Sequence, residues 1–100
     1  MEEKTLDLSE IRVEIDAVNK ELLSLLTKRL ELCHQVAEYK KERGLPIYVP
    51  EREKAILDWA EEAAGKELAP YARKFFAQVM ELGREYESGV TGTDPNEAAK

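Results

Sequence analysis

An unbroken amphipathic segment of about 36 residues, Leu8 to Arg43, constrains the fold of this chain more than any other feature. It contains no proline or glycine, and apolar residues recur at alternating steps of three and four, which is typical of a helix with one apolar face. We call these residues the apolar seam: Leu8, Ile11, Ile15, Val18, Leu22, Leu25, Leu32 and Val36. Such a helix would be roughly 54 Å long, whereas a compact domain of this size has a radius of gyration near ~13 Å. The chain cannot enclose this helix, so the seam predicts a second molecule.

Two further helices follow the first. Asp7 or Ser9 can cap the start of the first helix, and Gly44 ends it. The second helix is predicted from about Pro50 to Ala64, because proline suits the first helical position and acidic residues follow it in the first turn. The sequence therefore places a short loop between two helices.

The third helix is predicted from about Ala69 to Ser88, after a break at Gly65. Residues 89–100 have no periodicity, which predicts a disordered C-terminal tail. Residues 1–88 then form one all-α domain with three helices per chain and a very long first helix.

Charge and composition exclude several classes of protein. The formal net charge of −6 disfavours binding to a phosphate backbone, although a local basic pocket can still bind a small anion. No apolar run is long enough to span a membrane, and the acidic N-terminus lacks a signal sequence. The single cysteine, Cys33, allows no internal disulfide. We expect a cytoplasmic protein that binds neither nucleic acid nor membrane.

Arg29 interrupts the apolar seam. A step of four from Leu25 reaches Arg29, and Leu32 follows. Because burying an unpaired cation costs several kcal/mol, Arg29 needs an anion or water. It can pair with a buried carboxylate of the fold, lie at the edge of the seam, or bind an anionic ligand inside the bundle.

Two further cations bear on the third alternative. Lys40 lies eleven residues after Arg29, roughly three full turns, so both side chains share one face about 16 Å apart. Arg12 is about 25 Å away at the other end of the helix, and an antiparallel partner helix could bring its own Arg12 between them. The two-fold axis would then pass near Leu22 and Leu23, giving two equivalent basic pockets; a surface position for Arg12 remains the alternative.

Arg52 and Glu53 open the second helix. They are either an exposed first turn or, if the preceding loop folds back over the pocket, a further cation and an acceptor. We find no metal-binding cluster, no nucleophile–base pair and no glycine-rich phosphate loop, so we expect no metal or cofactor. Any chemistry would depend on binding and electrostatics.

The order and spacing of three segments resemble the all-helical chorismate mutase family. They run from Ile11 to Arg29, from Val36 to Lys41 and from Leu45 to Glu53. The resemblance covers Ile11 to about Glu87. It implies an intertwined antiparallel homodimer in which the long first helix crosses to its partner, as the seam requires independently.

The resemblance also implies a reaction, the Claisen rearrangement of chorismate to prephenate in phenylalanine and tyrosine biosynthesis. In the family pattern, Arg12 from the partner and Arg29 bind the carboxylates of the substrate, and Lys40 donates to the breaking ether oxygen. Arg52 supports the anionic end, and Glu53 accepts a hydrogen bond from the ring hydroxyl.

The chain departs from the family pattern at three substrate-site positions. Val49 stands where the family usually has Asp, and it cannot cap the second helix. Gly83 replaces a Ser that donates to a carboxylate. Glu87 replaces the usual Gln, the second donor to the ether oxygen, although some fungal members are similar in having Glu there. A protonated Glu87 could donate, which predicts activity that rises as the pH falls.

Other functions on the same scaffold stay open. The substrate of an aminodeoxychorismate mutase would carry an amine where chorismate has its hydroxyl, near Val49. An isochorismate pyruvate lyase is also built on this scaffold. The chain could also be a non-catalytic helical dimer that regulates a shikimate-pathway enzyme. The three departures favour that last alternative, whereas keeping Arg12, Arg29, Lys40, Arg52 and Glu53 together opposes it.

Overall fold

A computed structural model describes residues 7–96. The chain forms three helices in order: α1 (Leu8–Arg43), α2 (Pro50–Ala64) and α3 (Ala69–Thr91). The all-α class, the three helices and the very long first helix are confirmed. Residues 1–6, on which the absence of a signal sequence was predicted, and the last four residues of the predicted tail lie outside the described residues.

Local signals explain both ends of α1. The Asp7 carboxylate accepts hydrogen bonds from the Glu10 amide at 2.9 Å and the Ser9 hydroxyl at 2.8 Å. These bonds, led by the one from the Glu10 amide, lower the pKa of Asp7. At the other end, Gly44 has a φ of 64° and the Leu45 amide donates to the Lys40 carbonyl oxygen at 2.9 Å. This left-handed stop favours glycine.

The chain divides into two compact units, with the boundary inside α1 after Glu31. The first unit contains the N-terminal part of α1, in which most of the large apolar side chains are exposed. The second unit contains the last turns of α1 together with α2 and α3. Its buried apolar residues are Ala37, Ile47, Ala60 and Met80.

Helices α2 and α3 pack against each other through aromatic contacts. The ring of Trp59 meets that of Phe76 edge to face at 5.5 Å between centroids, and Phe76 meets Phe75 at 5.2 Å. Edge-to-face geometry is favourable for aromatic pairs. The contact holds the C-terminal half of α2 to the N-terminal half of α3.

An exposed ion-pair network joins the same two helices. Arg73 of α3 pairs with Glu61 and Asp58 of α2, and Lys54 donates to Asp58 at 2.7 Å. The hydrogen bond from Lys54, followed by that from Arg73, lowers the pKa of Asp58. Exposed pairs of this kind add little stability individually.

Helix α3 ends at Thr91, three residues beyond the expected end near Ser88. Gly89 does not stop the helix, because glycine in helical conformation only weakens it by roughly 0.5–1 kcal/mol. Gly92 stops it instead: its φ is 75°, and its amide donates to the Ser88 carbonyl oxygen at 2.8 Å. Residues 89–91 of the predicted tail are therefore helical. Among the described helices, none has the length and apolar character needed to cross a membrane.

Candidate functional site

Lys40 lies in the last turn of α1 and points at the loop that leads to α2. Its ammonium donates a 2.8 Å hydrogen bond to the carbonyl oxygen of Ile47, and the Lys40 side chain is half-buried. Ile47 itself is buried. The cation is thus held beside the α1–α2 loop, with two further N–H groups for other acceptors.

The start of α2 carries three of the predicted residues. Val49 is the N-cap, with φ −121° and ψ 91°, and no side chain caps the helix there. The prediction that Val49 cannot cap α2 is confirmed. Arg52 is exposed, whereas Glu53 is half-buried and faces α3. The two neighbours therefore have different surroundings although they share one helical turn.

The partner of Glu53 is Arg84 of α3, a residue that the sequence analysis did not select. The Arg84 guanidinium donates to Glu53 Oε1 and forms an ion pair with it. The guanidinium carbon also lies 4.7 Å from the centroid of the Tyr48 ring, within the range of a cation–π contact. A loop residue, an α2 carboxylate and an α3 cation are thus brought together.

Gly83 and Glu87 occupy the buried face of α3. Both are buried, as is Met80 on the same face. Their separations of three and four residues match one side of a helix. Arg84 is four residues after Met80 and three before Glu87, so this periodicity already indicated its approximate direction. What the spacing could not indicate was its carboxylate partner on α2.

Arg12 and Arg29 belong to the first unit. Arg12 is exposed, and Arg29 is half-buried and has an interaction partner. The structure brings together Glu53, Tyr48 and Arg84, and it places Lys40 against Ile47, all within the second unit. The roles of the eight predicted site residues stay predictions.

A shallow surface depression on the first unit includes none of the predicted site residues. All six of its lining residues belong to α1: Lys20, Leu23, Ser24, Thr27, Lys28 and Glu31. Across residues 7–96, no group of three or more His, Cys, Asp or Glu side chains is arranged to hold a metal ion. Within the second unit, Lys40 has its bond to the Ile47 carbonyl and Arg84 has its contacts with Glu53 and Tyr48.

Comparisons with known proteins agree with the resemblance stated above. The family model for chorismate mutase type II matches residues 11–88. No solved structure matches the chain.

Several curated relatives match about half of the chain. A T-protein of Enterobacter agglomerans is 57% identical over 51 residues, which are 51% of this chain and 14% of the relative. A chorismate mutase of Methanocaldococcus jannaschii is 47% identical over 51 residues, which are 51% of this chain and 52% of the relative. A 4-amino-4-deoxychorismate mutase of Streptomyces venezuelae is 33% identical over 54 residues, 54% of this chain and 52% of the relative. The matched segment therefore spans about half or less of each of these relatives.

Proposed function

This chain belongs to the type II chorismate mutase family, and we propose that it catalyses the Claisen rearrangement of chorismate to prephenate. The observation that carries the proposal is the family match over residues 11–88, a range that contains Arg12, Arg29, Lys40, Arg52 and Glu53. The reaction belongs to phenylalanine and tyrosine biosynthesis.

The proposed reaction needs no nucleophile. One C–O bond breaks as one C–C bond forms within a single molecule, so the protein must hold a flexible dicarboxylate in a compact conformation and stabilise negative charge on the ether oxygen. Both effects are supplied by fixed cations and hydrogen-bond donors. Lys40, held against the Ile47 carbonyl, is such a fixed donor.

We assign the remaining roles on the family pattern. Arg29 and the partner's Arg12 bind the carboxylates, and Arg52 supports the anionic end. Glu87 in its protonated form is the second donor to the ether oxygen, and its burial supports the uncharged form. Glu53 accepts a hydrogen bond from the ring hydroxyl. Val49 stands where the family usually has Asp, so it supplies no second acceptor there. Gly83 leaves only backbone where a side-chain donor is usual.

We further propose an intertwined antiparallel homodimer. Every side chain of the apolar seam is at least 38% exposed, with Leu25 at 64%. Leaving eight large apolar side chains in water is costly, at about 25 cal/mol for each Å² that a partner could cover. A second copy in antiparallel orientation would cover the seam with itself, as closed two-fold dimers do.

The test is the loss of ultraviolet absorbance of chorismate with purified protein at about pH 5 and about pH 8. Prephenate is confirmed by acid conversion to phenylpyruvate. Turnover that Arg29→Ala abolishes, while the dimer stays intact, supports a mutase. Absence of turnover at both pH values contradicts the proposal and favours a non-catalytic dimer or another substrate.

One observation favours a second candidate, a mutase acting on 4-amino-4-deoxychorismate. Val49 has no acceptor for a ring hydroxyl, and the Streptomyces venezuelae relative carries that activity in its name. A higher kcat/KM for the amino substrate than for chorismate would establish this candidate. Release of pyruvate from isochorismate would instead indicate a lyase.

A further inference from the structure

Arg84 is the most enclosed of the arginines whose ion pairs the structure records. Its side chain is 17% exposed and that of its partner Glu53 is 19% exposed. The guanidinium contacts both this carboxylate and the Tyr48 ring. The Nε atom of Arg84 is buried and has no hydrogen-bond acceptor among the described residues.

Arg73 provides the comparison, because it also joins α3 to α2 through a glutamate. Arg73 and Glu61 are 43% and 39% exposed, so their pair stays in contact with water. Removing Arg84 and Glu53 from water costs more, and their mutual attraction offsets that cost only partly. A residue selected only to hold α3 on α2 would be better apolar at this place. The enclosed pair therefore points to a role beyond stability.

Arg84 acts on Glu53, the residue assigned to the ring hydroxyl of the substrate. Arg84 occupies Oε1 of Glu53, so Oε2 remains as an acceptor. A fixed carboxylate orientation favours a hydrogen bond from a hydroxyl of matching position. The positive charge of Arg84 also offsets the negative charge of Glu53, so a cation nearby gains less than it would from a lone carboxylate.

We propose that Arg84 is a positioning and specificity-determining residue, which orients Glu53 and makes the site select a ring hydroxyl over a ring ammonium. This inference rests on the proposed function, because it assigns Glu53 to the ring substituent. Arg84 acts through Glu53 and does not touch the reacting bonds. It thereby compensates for Val49, which leaves Glu53 as the acceptor at that position.

The experiment compares kcat and KM for chorismate and for 4-amino-4-deoxychorismate in four proteins: the unchanged chain, Arg84→Gln, Arg84→Lys and Arg73→Gln. For Arg84→Gln we expect kcat/KM on chorismate to fall about tenfold, as for loss of one charged hydrogen bond. The ratio of kcat/KM values, amino substrate over chorismate, should rise by about tenfold or more because Glu53 is no longer neutralised. Arg84→Lys keeps the charge and should restore most of the selectivity, and Arg73→Gln should leave the ratio unchanged.

A double-mutant comparison separates this role from a merely structural one. In a Glu53→Gln background, Arg84→Gln should no longer change the substrate ratio. An unchanged ratio in folded Arg84→Gln, or an equal change in Arg73→Gln, overturns the inference while the mutase activity stands. If Arg84→Gln does not fold, Arg84→Lys provides the test. A substrate ratio in Arg84→Lys that differs about tenfold from that of the unchanged chain overturns the inference as well. If the unchanged chain turns over neither substrate, the proposed function fails and the inference fails with it.

Discussion

The ammonium of Lys40 donates a 2.8 Å hydrogen bond to the carbonyl oxygen of Ile47, a buried residue of the loop between α1 and α2. The bond fixes the ammonium that the family pattern assigns to the breaking ether oxygen. An ammonium has three N–H groups, so Lys40 can keep the loop bond and still donate to a substrate oxygen. Loop position and donor position are thus coupled through one side chain.

Replacing Lys40 by Gln should therefore lower kcat/KM for chorismate by about 10²–10³-fold, as for loss of one donor to developing negative charge. The matched control is Lys41→Gln, which removes the same charge from an exposed neighbour. Steady-state kinetics and urea unfolding at equal protein concentration check both. Equal losses of activity in the two variants would refute a specific role for Lys40.

Mixing two inactive variants tests whether each site is completed by Arg12 of the partner chain. Arg12→Ala and Arg29→Ala should each abolish turnover, because each removes one carboxylate-binding cation. After subunit exchange, about half of the dimers are mixed, and each of those has one complete site. Activity should return to about a quarter of that of the unchanged protein if two-fold dimers exchange freely.

Size-exclusion chromatography at each step shows whether the single variants remain dimers. If the mixture stays inactive although subunits exchange, then Arg12 does not come from the partner. Full activity in either single variant would remove that arginine from the site.

Glu87 should make the activity dependent on pH. A carboxylate repels negative charge that develops on the ether oxygen, whereas a protonated carboxyl donates to it, so kcat should rise from about pH 8 toward about pH 5. Glu87→Gln supplies a donor at every pH and should flatten the profile while raising activity at the alkaline end. A profile that is already flat, or one that rises in alkali, would exclude the protonated-Glu87 mechanism.

Replacing Val49 by a residue that can cap α2 should stabilise the protein. The backbone conformation of Val49 is extended, as an N-cap requires, but its side chain makes no capping hydrogen bond to the amides of α2. Val49→Asp and Val49→Asn should each raise the free energy of unfolding by about 0.5–2 kcal/mol, since either side chain can cap. Chemical unfolding at one protein concentration measures the change.

The two replacements at Val49 also differ usefully in charge. Asp adds a helix-dipole interaction and an acceptor for the ring hydroxyl, so it should improve kcat/KM for chorismate more than Asn does. Destabilisation by both variants would mean that the apolar contacts of Val49 outweigh a cap.

The bounds of α1 and α2 could be predicted because their signals are local. Asp7 sits at the start of α1, and Gly44 has the positive φ that stops it. The predicted end of α3 is too early because the sequence offers two glycines, Gly89 and Gly92, and only Gly92 adopts the left-handed conformation. A helix end depends on which glycine leaves helical geometry, and composition does not decide that.

The amino-acid sequence by itself determined three helices, an apolar seam too long for one chain to cover, and a set of cations spaced along that seam. Periodicity and end signals act over a few residues, so they can be recognised without coordinates. Only the tertiary structure decided that Arg84 is the partner of Glu53, 31 residues away in the chain, and that Lys40 is tied to the Ile47 carbonyl. Such contacts depend on how α2 packs on α3 and how the loop returns to α1, because the groups meet only after distant segments are brought together.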